Sequence, residues 1–142
     1  MSTVNRHTLV DQIYNMAKNK EIMLSYWSAV YEDNPRRVRT LCDVIECMLK
    51  GLPVGLLVLN ENSKTFFNRV VVGQMIVDAI VAFLDDKLYI NHVSGRVKFS
   101  EMTIAEQRRF KHMIVMTAVC KDLTDADETD IHYVATRRWF ND

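Results

Sequence analysis

Residues 73–86 set the hardest constraint in this chain. Met75, Ile76, Ala79, Ile80, Phe83 and Leu84 recur at helical spacing, and Val77 and Val81 fill other faces. A helix that is apolar nearly all round has no face to give to water, so it must lie inside the molecule with other elements packed about it. The apolar run Phe66–Val72 precedes it, Gly73 breaks that run, and Asp85-Asp86 closes the helix. The pattern reads as strand, glycine turn and buried helix. With 142 residues one domain can supply the cover, burying roughly 68–70% of the unfolded surface without a metal or disulfide staple.

The cover is legible in part. Residues 5–19 carry Leu9, Val10, Ile13, Met16 and Ala17 at helical spacing, which predicts an amphipathic first helix. Residues 22–31, apolar and aromatic, read equally as a strand or an ordered loop. A helix over 35–50 is the best marked: Asn34 suits the N-cap, Pro35 the first helical position, Gly51 a left-handed end, and Pro53 forbids continuation. Val54–Leu59 reads as a buried strand, and Leu88–Ile90 with Arg96–Phe99 as short strands around Ser94-Gly95. Thr103 and Glu106 form a capping box that opens a short basic helix to about Lys111. Met113–Val119 reads as a strand, and a last helix from Thr124 carries Ile131, Val134, Ala135 and Trp139 as its buried stripe. The expected class is α+β (mixed α/β): one domain with a small mixed sheet flanked by helices.

Charge and composition exclude several functions. Lys plus Arg and Asp plus Glu both number 18, so the chain is no overall polycation, and any binding of nucleic acid must come from a local patch. Apolar residues at 49% rule out a disordered chain. Three cysteines, at 42, 47 and 120, make no disulfide framework, and no signal-like or membrane-spanning run occurs; the expected setting is the cytoplasm, with no membrane partner. The four histidines are dispersed and no metal-ligand pair is spaced for zinc, so no metal site is expected.

Three features remain as candidates. The Gly73-Gln74 junction turns a strand into a helix whose first N–H groups face any bound anion, although a tight turn before a core helix needs a glycine just as much. Basic residues cluster as Arg36, Arg37 and Arg39; as Arg108, Arg109 and Lys111; and as Arg137 and Arg138 beside Trp139 and Phe140. Two clusters on one face would bind phosphate, with Trp139 stacking a base or anchoring a protein; the alternative is that they are solvated helix faces. Asp122, Asp125, Asp127, Glu128 and Asp130 lack the spacing of a calcium loop and read as capping and solubility.

From about Pro35 to Phe140 the order of elements resembles the ParB/sulfiredoxin-like superfamily. The nearer likeness is to the DGQQR-type N-terminal domain of modification-dependent (type IV) restriction endonucleases and related phage-defence nucleases. Arg36-Arg37-Val38-Arg39 stands where that family has an arginine-bearing segment, and Asp43 to Val54 resembles its helix ending in a Gly-x-Pro-Ile turn. Val71-Val72-Gly73-Gln74-Met75-Ile76, with Ala79-Ile80 and Phe83-Leu84, resembles the signature strand, turn and helix. Phe99-Ser100-Glu101-Met102 and the Met113–Val119 strand follow in the family's order. In relatives this motif is associated with nucleotide binding and hydrolysis.

The motif here is degenerate. Where the family has Asp before the glycine, and Gln and Arg after the first Gln, this chain has Val72, Met75 and Ile76. An Asp can orient water or a metal and an Arg can neutralise phosphate, whereas Val and Ile do neither; losing one such group costs about 10²–10⁴ in rate. The resemblance thus implies a 35–140 core behind an N-terminal helix and extension at 1–34. It also implies an interaction protein in a DNA-defence or counter-defence setting rather than an enzyme. No catalytic residue is assigned, and no cofactor beyond a nucleotide held weakly at Gly73 and Gln74. A protein partner is expected, with nucleic acid as the alternative and self-association open. The other readings are a nucleotide-dependent nuclease or NTPase subunit, and a DNA-binding module using the arginine clusters.

Overall fold

The computed structural model describes residues 3–22, 34–93 and 95–136. In chain order the elements are β1 (Thr3–Leu9), α1 (Val10–Lys18), α2 (Pro35–Leu49), β2 (Leu57–Glu61), β3 (Asn68–Val72) and α3 (Gln74–Leu84). There follow β4 (Ile90–His92), β5 (Gly95–Val97), a 3₁₀ turn (Phe99–Glu101), α4 (Ile104–Lys111), β6 (Ile114–Lys121) and α5 (Asp125–Thr136). The four-stranded sheet has the order β1-β6-β2-β3. β6 is antiparallel to β1 and parallel to β2, and β3 is antiparallel to β2 with a register shift at Val58/Leu59. β4 and β5 form a separate hairpin. The fold is mixed α+β with a small mixed sheet, as its patterning predicts.

α3 occupies the place its composition demands. Every residue from Ile76 to Phe83 is buried, Asp78 included. One sheet face, with Leu57, Leu59, Val115 and Val119, packs with α1, α2 and α3 into the main core. Phe83, Phe99 and Phe110 close its end, Phe83 meeting the other two edge-on at centroid distances of 5.6 and 5.2 Å. Tyr14 Oη and Lys18 Nζ both donate to the Asp85 carboxylate at 2.5 Å, tying α1 to the C-terminal end of α3.

The opposite face is covered only in part. Val58, Ala118 and Cys120 pack against Leu123 and Ile131. Asn60 clasps the start of α5: its Oδ1 accepts from Leu123 N–H (2.9 Å) while its Nδ2 donates to Leu123 C=O (3.2 Å) and Glu128 Oε2 (2.6 Å). Glu128 also pairs with Arg69 at 3.3 Å.

Three expectations are corrected. Residues 3–9 are a strand, because β-branched Thr3, Val4 and Thr8 find a full-length partner in β6; the first helix begins only at Val10, where Gln12 Oε1 accepts from Leu9 N–H. β1 lies in the main sheet, and Val10, Ile13, Ala17 and Ile22 share the main core with α2 and α3. β2 starts at Leu57 rather than Val54, since Pro53 has no N–H and Gly55 sits at φ +112, outside strand geometry. The stripe of α5 is buried only in part: Ile131 packs on the sheet and His132 Nδ1 lies 3.3 Å from Val71 O, but Val134 is 58% exposed and Ala135 exposed, because the helix runs past the sheet beyond that point. Residues 23–31 of the undecided segment, Ser94, and Arg137, Arg138, Trp139 and Phe140 lie outside the described residues.

Gly73 stands at φ +97, ψ 20 between β3 and α3. A Cβ there would lie 3.1 Å from Leu56 O and 3.2 Å from Leu57 Cα, both backbone atoms that cannot swing aside. Left-handed strain and overpacking add, so Gly73→Ala should lower unfolding free energy by about 2–4 kcal/mol in urea melts. A loss below about 1 kcal/mol would show that the close approach is not real.

Candidate functional site

The elbow follows from sequence chemistry. β3 delivers the chain to Gly73, the left-handed turn redirects it, and α3 leaves at Gln74. Gln74 is half-buried and its Nε2 donates to Asp78 Oδ1, one turn along the same helix, at 3.1 Å. A fully buried carboxylate is tolerated only when its oxygens are bonded, and this amide supplies part of that need. Gln74, expected to face a ligand, thus directs its amide toward its own helix.

The positions where the resemblance calls for charge are packed. Ile76 is 4% exposed in the main core, and half-buried Val72 packs on the second cluster. An Arg at 76 would bury an unpaired cation.

Beside the elbow the chain before β2 and the first residues of β6, which pair only with β1, diverge. A cleft of about 390 Å³ opens between them, lined by Met48, Leu52, Pro53 and Val54 on one side and by Met113 and Ile114 through Met116 on the other. The side chains that line it are all apolar. Ile114, Met116, Leu52 and Leu56 are exposed.

The basic clusters are placed apart. Arg36, Arg37 and Arg39 are exposed on the first two turns of α2, where Asn34 Oδ1 accepts from the N–H groups of Arg36 (3.2 Å) and Arg37 (3.3 Å). Arg39 pairs with Asp43 at 3.2 Å. Arg108, Arg109 and Lys111 end α4, where cations suit the helix dipole, and Lys111 Nζ lies 5.8 Å from the Phe99 ring centre. Arg109 shares a crevice with Leu49 at the far end of α2. From Leu49 back to Arg36 is thirteen residues of helix, about 20 Å, so these two clusters do not form one patch. Arg137, Arg138 and Trp139 fall outside the described residues.

The acidic run is structural. Asp122 Oδ1 accepts from Ser63 N–H (3.0 Å), which holds its carboxyl below the usual range, and Thr124 with Asp127 caps α5. Burial pushes the Cys42 thiol up, and its Sγ donates to Tyr89 C=O at 3.2 Å. Among the described residues no group of three His, Cys, Asp or Glu could hold a metal, and no helix is long and apolar enough to cross a membrane.

Two groupings escape sequence reasoning. Gln74 and Asp78 carry a faint signal, a four-residue spacing with a lone acid in an apolar helix. His92 and Glu106, whose Nε2 and Oε2 lie 2.5 Å apart, carry none, because only the fold brings β4 to α4. Glu106 takes a bond from the Thr103 N–H, a second from His92 and a third from the Thr103 hydroxyl, and these hold its carboxyl below its ordinary value.

Comparison of the chain with protein-family models, with curated proteins and with solved structures finds no match.

The lowered carboxyl of Glu106 has a pH consequence. Its contribution to stability is complete above its ordinary value of 4.5 and drains away as pH falls through the lower folded value. Urea midpoints measured from pH 6 downward should therefore fall less steeply for Glu106→Gln than for the parent. Parallel curves would mean that the Thr103 and His92 bonds do not favour the charged form.

Proposed function

We propose that this chain is a non-catalytic interaction module: a degenerate ParB/sulfiredoxin-like domain that binds a protein partner in a DNA-defence or counter-defence setting. One observation carries the reading. At the elbow, where the resemblance calls for charged groups, Ile76 is core and Val72 is packed, so neither position offers charge to a phosphoryl group. The apolar cleft beside the elbow supports it, since a surface of this kind suits a partner better than a phosphate. The defence setting rests on the resemblance of residues 35–140 alone.

Nucleic acid is the second reading. It is favoured by Arg36, Arg37 and Arg39, which stand at the end of α2 where the helix dipole disfavours cations. It is weakened by the distance between that cluster and the basic end of α4.

The test is phosphate release from ATP, GTP and CTP by the purified chain, alone and with duplex DNA. No release above buffer is expected, and Gln74→Ala should not change that. Turnover by the parent that Gln74→Ala abolishes would overturn the reading in favour of a nucleotide-dependent enzyme. DNA binding that falls steeply with salt and is lost in the double variant Arg36→Ala, Arg37→Ala would favour the second reading.

A further inference from the structure

The cleft between residues 51–55 and 113–116 has a backbone as well as a lining. Val10 N–H donates to the Met113 carbonyl at 2.9 Å, so Met113 turns its main chain toward β1. Successive residues of a strand face alternate sides, and Ile114 and Met116 therefore turn theirs the other way, into the cleft. β2 joins β6 only from the Leu57↔Thr117 pair onward. Upstream of that pair, among the described residues, no backbone hydrogen bond links 51–56 to 113–116. The N–H and C=O of Ile114 and the N–H of Met116 are thus an open strand edge inside an apolar groove.

We infer that this groove takes a short extended segment of another polypeptide, apolar along its length and acidic at one end, as an added strand against β6. Main-chain groups at strand spacing are met by another main chain, whereas a small apolar molecule would leave them unmet. The side chains of such a segment alternate. One set meets Ile114, Met116 and Leu52, which are 57%, 47% and 52% exposed; the other lies over Met48 and Val54. Methionines on both walls give a surface that adapts to different apolar side chains.

Charge selects one end of the segment. Lys50 and His112 are exposed and precede the lining residues Gly51 and Met113 on two walls that run parallel, so both stand at the same end, and neither 47–56 nor 107–121 contains an acid. The same point disfavours a second copy as the occupant. This chain's own edge strand, β1, carries Arg6 and His7 and no acid, so self-addition would set cation against cation.

The inference rests on the binding-module reading, and the two fail separately. Nucleotide turnover removes that reading whatever a peptide does, while a chain without turnover that ignores the peptide removes strand addition alone. The probe is a blocked, fluorescein-labelled heptapeptide, Asp-Val-Thr-Val-Thr-Val-Asp, titrated with the full chain by fluorescence anisotropy; with an acid at each end, it brings one to Lys50 and His112 in either direction. Saturable binding is expected, with slowed amide exchange at Ile114 and Met116. N-methylating alternate peptide nitrogens should weaken binding about tenfold, since two main-chain hydrogen bonds are lost. The double variant Lys50→Glu, His112→Glu should weaken the acid-ended peptide and favour a lysine-ended one. Equal binding of the N-methylated peptide, unchanged exchange at Ile114 and Met116, or no saturation up to about 1 mM would overturn the inference.

Discussion

The approach of Gly73 to the backbone of Leu56 and Leu57 is the contact on which the rest is built. It brings the end of β3 against the start of β2 closely enough to exclude a side chain. It also aims α3 along the inside of the sheet, which lets an apolar cylinder be sealed by α1 and α2 on one side and strands on the other. Regular β2 geometry begins just after that point, since Pro53 and Gly55 keep the preceding chain out of the ladder and let it diverge from β6.

Polar groups inside the fold are few and most find a partner, although the buried Thr8 Oγ1 and Asn68 Oδ1 have none among the described residues. Asp78 meets Gln74 on its own helix, and Asn60 meets both backbone groups of Leu123 in the manner of a ladder partner. These pairs set register and orientation more than they add stability, since each exchanges a bond to water for one of similar strength. Ile76 lies in the main core and Val72 on the second cluster, and both serve the packing around the elbow.

Much of the fold is readable because its signals are local. Asn34, Pro35, Gly51 and Pro53 frame α2, Thr103 and Glu106 open α4, and the all-apolar run announces α3. Apart from the start of β2, the failures are long-range. β1 was hidden because Leu9, Val10 and Ile13 fit a helical period that runs back through residues whose strand conformation is decided by β6, more than a hundred residues away. The stripe of α5 has the right spacing for burial, but spacing does not say how far a sheet extends beneath it. Gly73 and Gln74 could be singled out from sequence; that the Gln74 amide turns inward could not, and neither could the meeting of His92 with Glu106.

The partial seating of α5 carries a consequence for how the molecule comes apart. Its polar anchorage is concentrated in Asn60, Leu123, Glu128 and Arg69, with Ile131 and His132 touching the sheet further on, while Tyr133 and Val134 face water. Detaching it strips only a small apolar cluster from the sheet and leaves the main core intact. Such an element opens at a free energy well under that of global unfolding. A protease would reach the α5 backbone through fluctuations that never expose α3, and the trimmed remainder would keep the architecture that surrounds the elbow.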